Sequence, residues 1–335
     1  MVALWDTTGA EVVRRLAAER RTAGGVTSGL ALTLIAITDE KRVAEAEAAA
    51  TIAAQQHPTR LLIAVRRNEL DERSRLDAEV VVGGRLGPCE AVVMRMHGRL
   101  ALHAESVALP LLAPDVPVVT WWHGQPPERI ASDPLGVVAE RRITDSATCE
   151  DPIAALRQRG ADYAPGDTDL AWTRVTPWRT LVAGVFDTAA APASEIRIAA
   201  PAADPGAMLL AGWLKARLGL APAVTGEGNR LTGVDIGFGD GSRTSITAAE
   251  GAATLRRTGY PDRALPLLDR ALGEELAEEL RRLDPDQPYA EALGAAAGLD
   301  GLSERQARRE HVWHDPALAE RPEPAEGPAG SGAAG

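Results

Sequence analysis

Two short apolar runs constrain this chain's fold more than any other feature. Residues 30–37 (LALTLIAI) and 60–65 (RLLIAV) are almost continuously hydrophobic, and they flank an alanine-rich helical stretch at 40–56. A strand with apolar side chains on both faces must be covered on both sides, which is the pattern of a parallel sheet between helices. Residues 78–84 (AEVVVGG) and 89–96 (CEAVVMRM), separated by a Gly- and Pro-rich turn, predict an antiparallel pair. A helical segment at 100–112 leads to a buried strand at 117–122 (PVVTWW), then a helix at 135–141, a strand at 142–145 and a helix at 152–159. Thr8 and Glu11 have capping-box spacing ahead of Val12, Val13, Leu16 and Ala17. Thr176-Pro177 starts a further helix, with Trp178, Leu181, Val182 and Val185 on one face.

Small residues and a proline at 188–194 predict a linker. Beyond it come a strand at 195–200, a helix at 206–218, two alternating strands at 233–238 and 242–248 joined by Gly239-Asp240-Gly241, and a helix at 272–283. Asp-Gly between alternating segments is a hairpin signal. The predicted fold class is α/β, with a mixed, largely parallel sheet in an N-terminal Rossmann-like domain and a smaller C-terminal α+β unit. The corresponding domains are 1–187 and 195–302, with 188–194 between them and 303–335 a polar tail expected to be disordered.

Composition narrows the function. The formal net charge of -11, with no basic block longer than an arginine pair, argues against nucleic acid or an anionic membrane as partner. No apolar run is long enough to span a bilayer, and residues 1–16 lack the layout of a signal peptide, so a cytosolic location is expected. Cys89 and Cys149 have neither a disulfide-framework nor a metal-ligand spacing, and are read as buried thiols.

Enzyme signatures are missing. There is no P-loop, HExxH, CxxC or GxSxG, and the first strand runs into Thr38-Asp39-Glu40-Lys41 in place of a glycine-rich turn. Gly237 to Gly241 imitates a phosphate loop but lies between strands, so a hairpin turn is the better reading. His311 and His314 in EHVWHD have no further ligand group nearby, and His123 has no serine, cysteine or aspartate placed beside it by the sequence. No catalytic residue, metal ligand or cofactor-binding residue is therefore expected.

Seven of the twelve aromatic residues are tryptophan. On a strand, Trp121 and Trp122 must face opposite ways. Trp172 sits among Asp167, Asp169, Arg174 and Arg179, a composition shared by interface hot spots and by intramolecular ion-pair networks. Trp178 fits an apolar helix face as a core anchor.

These segments also carry a resemblance. Residues 117–124 (PVVTWWHG), 133–136 (DPLG), 141–145 (RRITD), 166–174 (GDTDLAWTR), 176–179 (TPWR), 260–263 (YPDR) and 274–284 (EELAEELRRLD) together resemble the OpcA family, the glucose-6-phosphate dehydrogenase assembly proteins. The likeness covers about residues 1–300, and the alanine- and arginine-rich composition is similar to its actinobacterial branch. It implies a non-catalytic partner that binds glucose-6-phosphate dehydrogenase, promotes its active assembled form and so supports the oxidative pentose phosphate pathway and NADPH production. Trp121, Trp122, Asp167, Asp169, Trp172, Arg174 and Arg179 are the candidate partner interface, with Trp178 supporting it from the core. The alternative is a sugar-phosphate or nucleotide-binding α/β enzyme with its pocket near Trp122 and His123.

Overall fold

The computed structural model describes residues 1–23, 29–67, 71–83, 90–249 and 251–307. The chain opens with β1 (Val2–Leu4) and α1 (Gly9–Thr22), where Thr8 Oγ1 accepts the Glu11 N–H as the capping spacing predicts. β2 (Leu32–Asp39), α2 (Val43–Gln56) and β3 (Thr59–Arg66) form the expected strand-helix-strand unit, with Leu34 opposite Leu61 in a parallel register. Both strands are buried along nearly their whole length. β4 (Arg75–Val82) and β5 (Glu90–His97) pair antiparallel, Val80 opposite Val92.

The segment expected as one helix at 100–112 is broken into α3 (Arg99–Leu102), α4 (Glu105–Ala108) and a 3-10 turn at Leu109–Leu111. Pro110 lacks the N–H an α-helix would need there. β6 (Val118–Trp122), α5 (Pro134–Val137), β7 (Arg141–Thr144), α6 (Pro152–Asp162) and β8 (Asp167–Asp169) follow. The helix expected over 135–141 is only a single turn, because the chain must already be extended at Arg141 to pair with β6. The eight strands lie in the order β1-β4-β5-β3-β2-β6-β7-β8, antiparallel at the β1 edge and parallel from β5 to β8.

After α7 (Leu170–Arg174) and α8 (Thr176–Phe186), the chain builds β9 (Ala193–Ala199), α9 (Pro205–Leu218), β10 (Ala223–Val224), β11 (Gly233–Phe238), β12 (Arg243–Ala249), β13 (Ala252–Arg257) and β14 (Arg263–Pro266). These strands form a second sheet ordered β10-β9-β11-β12-β13-β14. The expected hairpin is present: β11 and β12 pair antiparallel across a turn in which Gly241 has φ +82° and Asp240 Oδ1 accepts the Ser242 N–H. α10 (Leu272–Glu279) and α11 (Gln287–Ala297) are the last described α-helices, followed by a 3-10 turn at Leu302–Glu304.

Two long-range packings tie the sheets together. Trp178, Val182 and Val185 of α8 share one core with Ile196, Ile198, Leu209, Val234, Tyr289 and Leu293, with α8 and α9 against the second sheet and α11 packed on α9. α10 returns to the first sheet, where Leu276, Ala277 and Leu280 pack on Ala46, Ala49, Ala50 and Ala53 of α2. Packing is therefore continuous across residues 188–194. Residues 308–335, including the EHVWHD histidines and most of the predicted tail, lie outside the described residues, as does Cys89.

Candidate functional site

β7, β8 and the turn into α7 bring several charged side chains to one end of the first sheet, and α10 closes over them. Arg174, at the end of α7, donates from Nη2 to Asp145 Oδ2 at 2.9 Å and to Glu275 Oε2 at 2.6 Å. Burial works against its guanidinium, but the bonds to Glu275 and Asp145 outweigh it, so its pKa stands above the ordinary value. One turn further along α10, Glu279 accepts from Arg141 Nε at 3.0 Å and from the Thr173 hydroxyl. Arg141 also donates to the Asp284 carbonyl at 3.1 Å. Glu275 and Glu279 are four residues apart, so they share a helix face and reach α7 and β7 together.

Beneath this layer the aspartates are held by backbone and hydroxyl groups. Asp169 caps α7 through the Ala171 N–H at 2.9 Å and also accepts from Ser146 N, Ser146 Oγ and Thr144 Oγ1. Asp167 accepts from Arg142 Nε and the Ala164 N–H, while Arg142 further ties down the Ala139 and Pro165 carbonyls. Trp172 Nε1 donates to Asp286 Oδ2 at 2.8 Å, and the Arg179 guanidinium lies 3.5 Å from the Trp172 ring centroid.

Five of the seven proposed interface residues are therefore interior. Trp121, Trp122, Trp172, Asp167 and Asp169 are each at most 4% exposed. The two adjacent tryptophans face opposite ways as expected: Trp122 packs with Val12, Leu62 and Met94, and Trp121 with Leu34, Ala46 and Ile63. Arg174 and Arg179 alone of the seven reach the surface, the Arg174 side chain 38% exposed. The aromatic-plus-charge composition thus resolves into an intramolecular network that joins β7 and α7 to α10 and to the start of α11. Asp145, Glu275, Glu279, Arg141 and Asp286 are its other members; the first four fall in segments 141–145 and 274–284 that carry the family resemblance, but nothing local in the sequence joins them to Thr173 or Arg174.

His123 stands at the end of β6, 3% exposed, with Nε2 3.0 Å from Glu45 Oε2 and its ring 4.8 Å from that of Trp121. No other nucleophile or acid in the described contacts meets it. Burial pushes the Cys149 thiol up, with Asp169 and Asp145 adding to the effect, which disfavours a reactive thiolate. Among the described residues no group of acidic, histidine and cysteine side chains is arranged to hold a metal, and no helix is long and apolar enough to cross a membrane.

Two family models match consecutive stretches of the chain. One, described as the glucose-6-phosphate dehydrogenase subunit N-terminal domain, matches residues 50–161, and the other, the corresponding C-terminal domain, matches 165–293. The chain belongs to the OpcA family. OpcA proteins are non-catalytic factors associated with glucose-6-phosphate dehydrogenase assembly, and this one is of that kind. No curated protein matches it. The boundary between the two OpcA models falls just before β8, so the Arg174 and Glu279 clusters are made by residues from both: Arg141 and Asp145 from the first, Thr173, Arg174, Glu275 and Glu279 from the second.

The buried carboxyls give a pH prediction. Burial pushes Asp167, Asp169 and Glu275 above their ordinary values, with Asp145 adding to the rise at Asp169 and Arg142 and Arg174 only partly offsetting it at the other two. An acid with a raised folded pKa contributes most below its unfolded value, near 4, and that contribution is lost as pH rises through the folded value. Thermal stability is therefore expected to increase as pH is lowered from neutrality toward the ordinary carboxylate range. Asp77 and Glu40, held low by their arginine partners against desolvation, oppose this only at and below the ordinary carboxylate range. Scanning calorimetry across that interval checks it; a Tm that falls steadily on acidification contradicts it.

Proposed function

We propose that this protein acts in the cytosol by binding glucose-6-phosphate dehydrogenase directly and favouring its competent, assembled conformer. The observation that carries this reading is the consecutive match of both OpcA models to a chain whose two halves are locked together by the Arg174 and Glu279 clusters. A rigid body of this kind can shift a partner's conformational equilibrium by its difference in affinity for the two states, and a tenfold shift needs only about 1.4 kcal/mol.

Because Trp121, Trp122 and Trp172 are interior, they and Asp167 and Asp169 support the contact, and accessible groups make it. Tyr260, at the turn between β13 and β14, is 68% exposed and is the most exposed aromatic described within the C-terminal match. The Arg257 guanidinium lies 5.8 Å from its ring centroid, and Arg256 pairs with Asp262 alongside. An exposed tyrosine among arginines is a hot-spot arrangement. In sedimentation of the purified dehydrogenase with this protein, Tyr260→Ala is expected to weaken the complex about tenfold or more while leaving its own Tm unchanged. Wild-type protein that forms no complex contradicts the reading as a whole; an unaffected Tyr260→Ala complex moves the contact elsewhere. The enzyme alternative is disfavoured, since Trp122 and His123 are both closed off from solvent.

A further inference from the structure

A cleft of about 850 Å³ opens beside the network, between the start of α8 and the connection from α10 to α11. Arg141, Arg179, Arg281 and Arg282 all line it, in a chain that is acidic overall. Two of these cations are already matched: Arg141 by Glu279, and Arg281 by Glu278 at 3.2 Å.

The other two are not. Arg179 stacks on Trp172, and its one hydrogen bond among the described residues runs from Nη2 to Thr176 Oγ1 at 2.7 Å. Its Nε is buried with no acceptor. The carboxylates nearest in charge are already engaged: Asp286 accepts from Trp172 Nε1 and the Tyr289 N–H, and Glu279 from Arg141 and Thr173. Burial accordingly brings the Arg179 guanidinium down to about 10, with Asp286 and Glu279 only partly opposing it. Arg282 is exposed and has no ion-pair partner among the described residues. Asp284 is the one lining carboxylate left without a side-chain partner there, set against two open guanidiniums.

The cleft also receives the positive end of α11. Pro288 has no N–H and the Tyr289 N–H is taken by Asp286, so Gln287 is left to offer its N–H at that end. A guanidinium fixed in place by an aromatic ring loses little freedom on pairing and presents a planar fork suited to a phosphoryl group. The volume lies in the range of pockets that hold small organic ligands.

From this geometry we infer that the cleft bounded by Arg179, Arg282 and the start of α11 binds a phosphate monoester or diphosphate group of a small metabolite. Sugar phosphates and nucleotides share that chemistry. The site is separate from the Tyr260 surface and does not depend on it.

The test is calorimetric titration of the full-length protein, at constant ionic strength, with inorganic phosphate, a hexose phosphate and a nucleoside diphosphate. At least one is expected to bind saturably, one per chain, and the ranking of the two esters identifies the source. Arg179→Gln and Arg282→Gln should each weaken binding about tenfold, whereas Arg197→Gln, on the second sheet, should not. Arg282 is exposed and makes no side-chain hydrogen bond or ion pair among the described residues, so Arg282→Gln tests the site even if Arg179→Gln is poorly folded. Three outcomes overturn the inference: no probe binding more tightly than about 1 mM, binding unaffected by Arg282→Gln, or equal loss in Arg197→Gln. Loss of the dehydrogenase complex in Arg282→Gln without any phosphate binding would assign the cleft to an acidic protein segment instead.

Discussion

Replacing Gly212 with alanine is expected to cost about 3 kcal/mol or more, although alanine is the better helix former. Gly212 lies in the middle of α9, buried against α11. A Cβ there would fall inside contact distance of the Ala292 carbonyl oxygen, 2.9 Å from the Ala296 nitrogen and 3.0 Å from the Ala296 Cβ. Two of those three atoms are backbone, so no rotamer change relieves the overlap and the helices must separate. Separation would loosen the core that holds Leu209, Leu210, Tyr289 and Leu293. Gly184 in α8 provides the control, because a Cβ there meets nothing within 4 Å. Gly184→Ala should be neutral or stabilise by up to about 1 kcal/mol, as propensity alone dictates. Urea denaturation measures both, and a Gly212→Ala midpoint at or above wild type would refute the close helix contact.

The second large effect is at Arg174. Asp145 and Glu275 keep only 2% and 3% of their side-chain surface, and Arg174 is the cation that meets both. Arg174→Met leaves two carboxylates facing each other in a nearly dry site. Breaking a fully buried pair costs about 3–5 kcal/mol, and the partial exposure of the Arg174 side chain reduces this to about 2–3. Adding Glu275→Gln should restore about half of the loss, because one of the stranded charges is gone. The deficit of Arg174→Met should also shrink as pH falls, since Glu275, already raised by burial, then takes up a proton. A pH-independent loss below about 1 kcal/mol would mean that the pair is solvated and does not join α7 to α10.

The parallel core was legible because its signal is local. The apolar runs at β2 and β3, the alternation of Trp121 and Trp122, and the Asp240-Gly241 turn each determine their geometry within a few residues. β8 was not legible. Asp167-Thr168-Asp169 is polar, and its burial depends on Arg142, Ser146 and Thr144, more than twenty residues earlier. Arg174 read equally well as an interface or a network residue for the same reason: Glu275 lies 101 residues away. β13, β14 and α11 were also missed. β13 and the edge strand β14 carry few buried side chains, and α11 is an alanine-rich helix whose buried face is defined by its packing on α9 and α6.

Assembly with the dehydrogenase is tested most directly by the initial rate of NADP reduction by purified glucose-6-phosphate dehydrogenase titrated with this protein. The rate per enzyme should rise saturably, and the titrant alone should show no turnover. An unchanged rate at every concentration, with the two proteins sedimenting independently, would contradict a role in assembling the dehydrogenase.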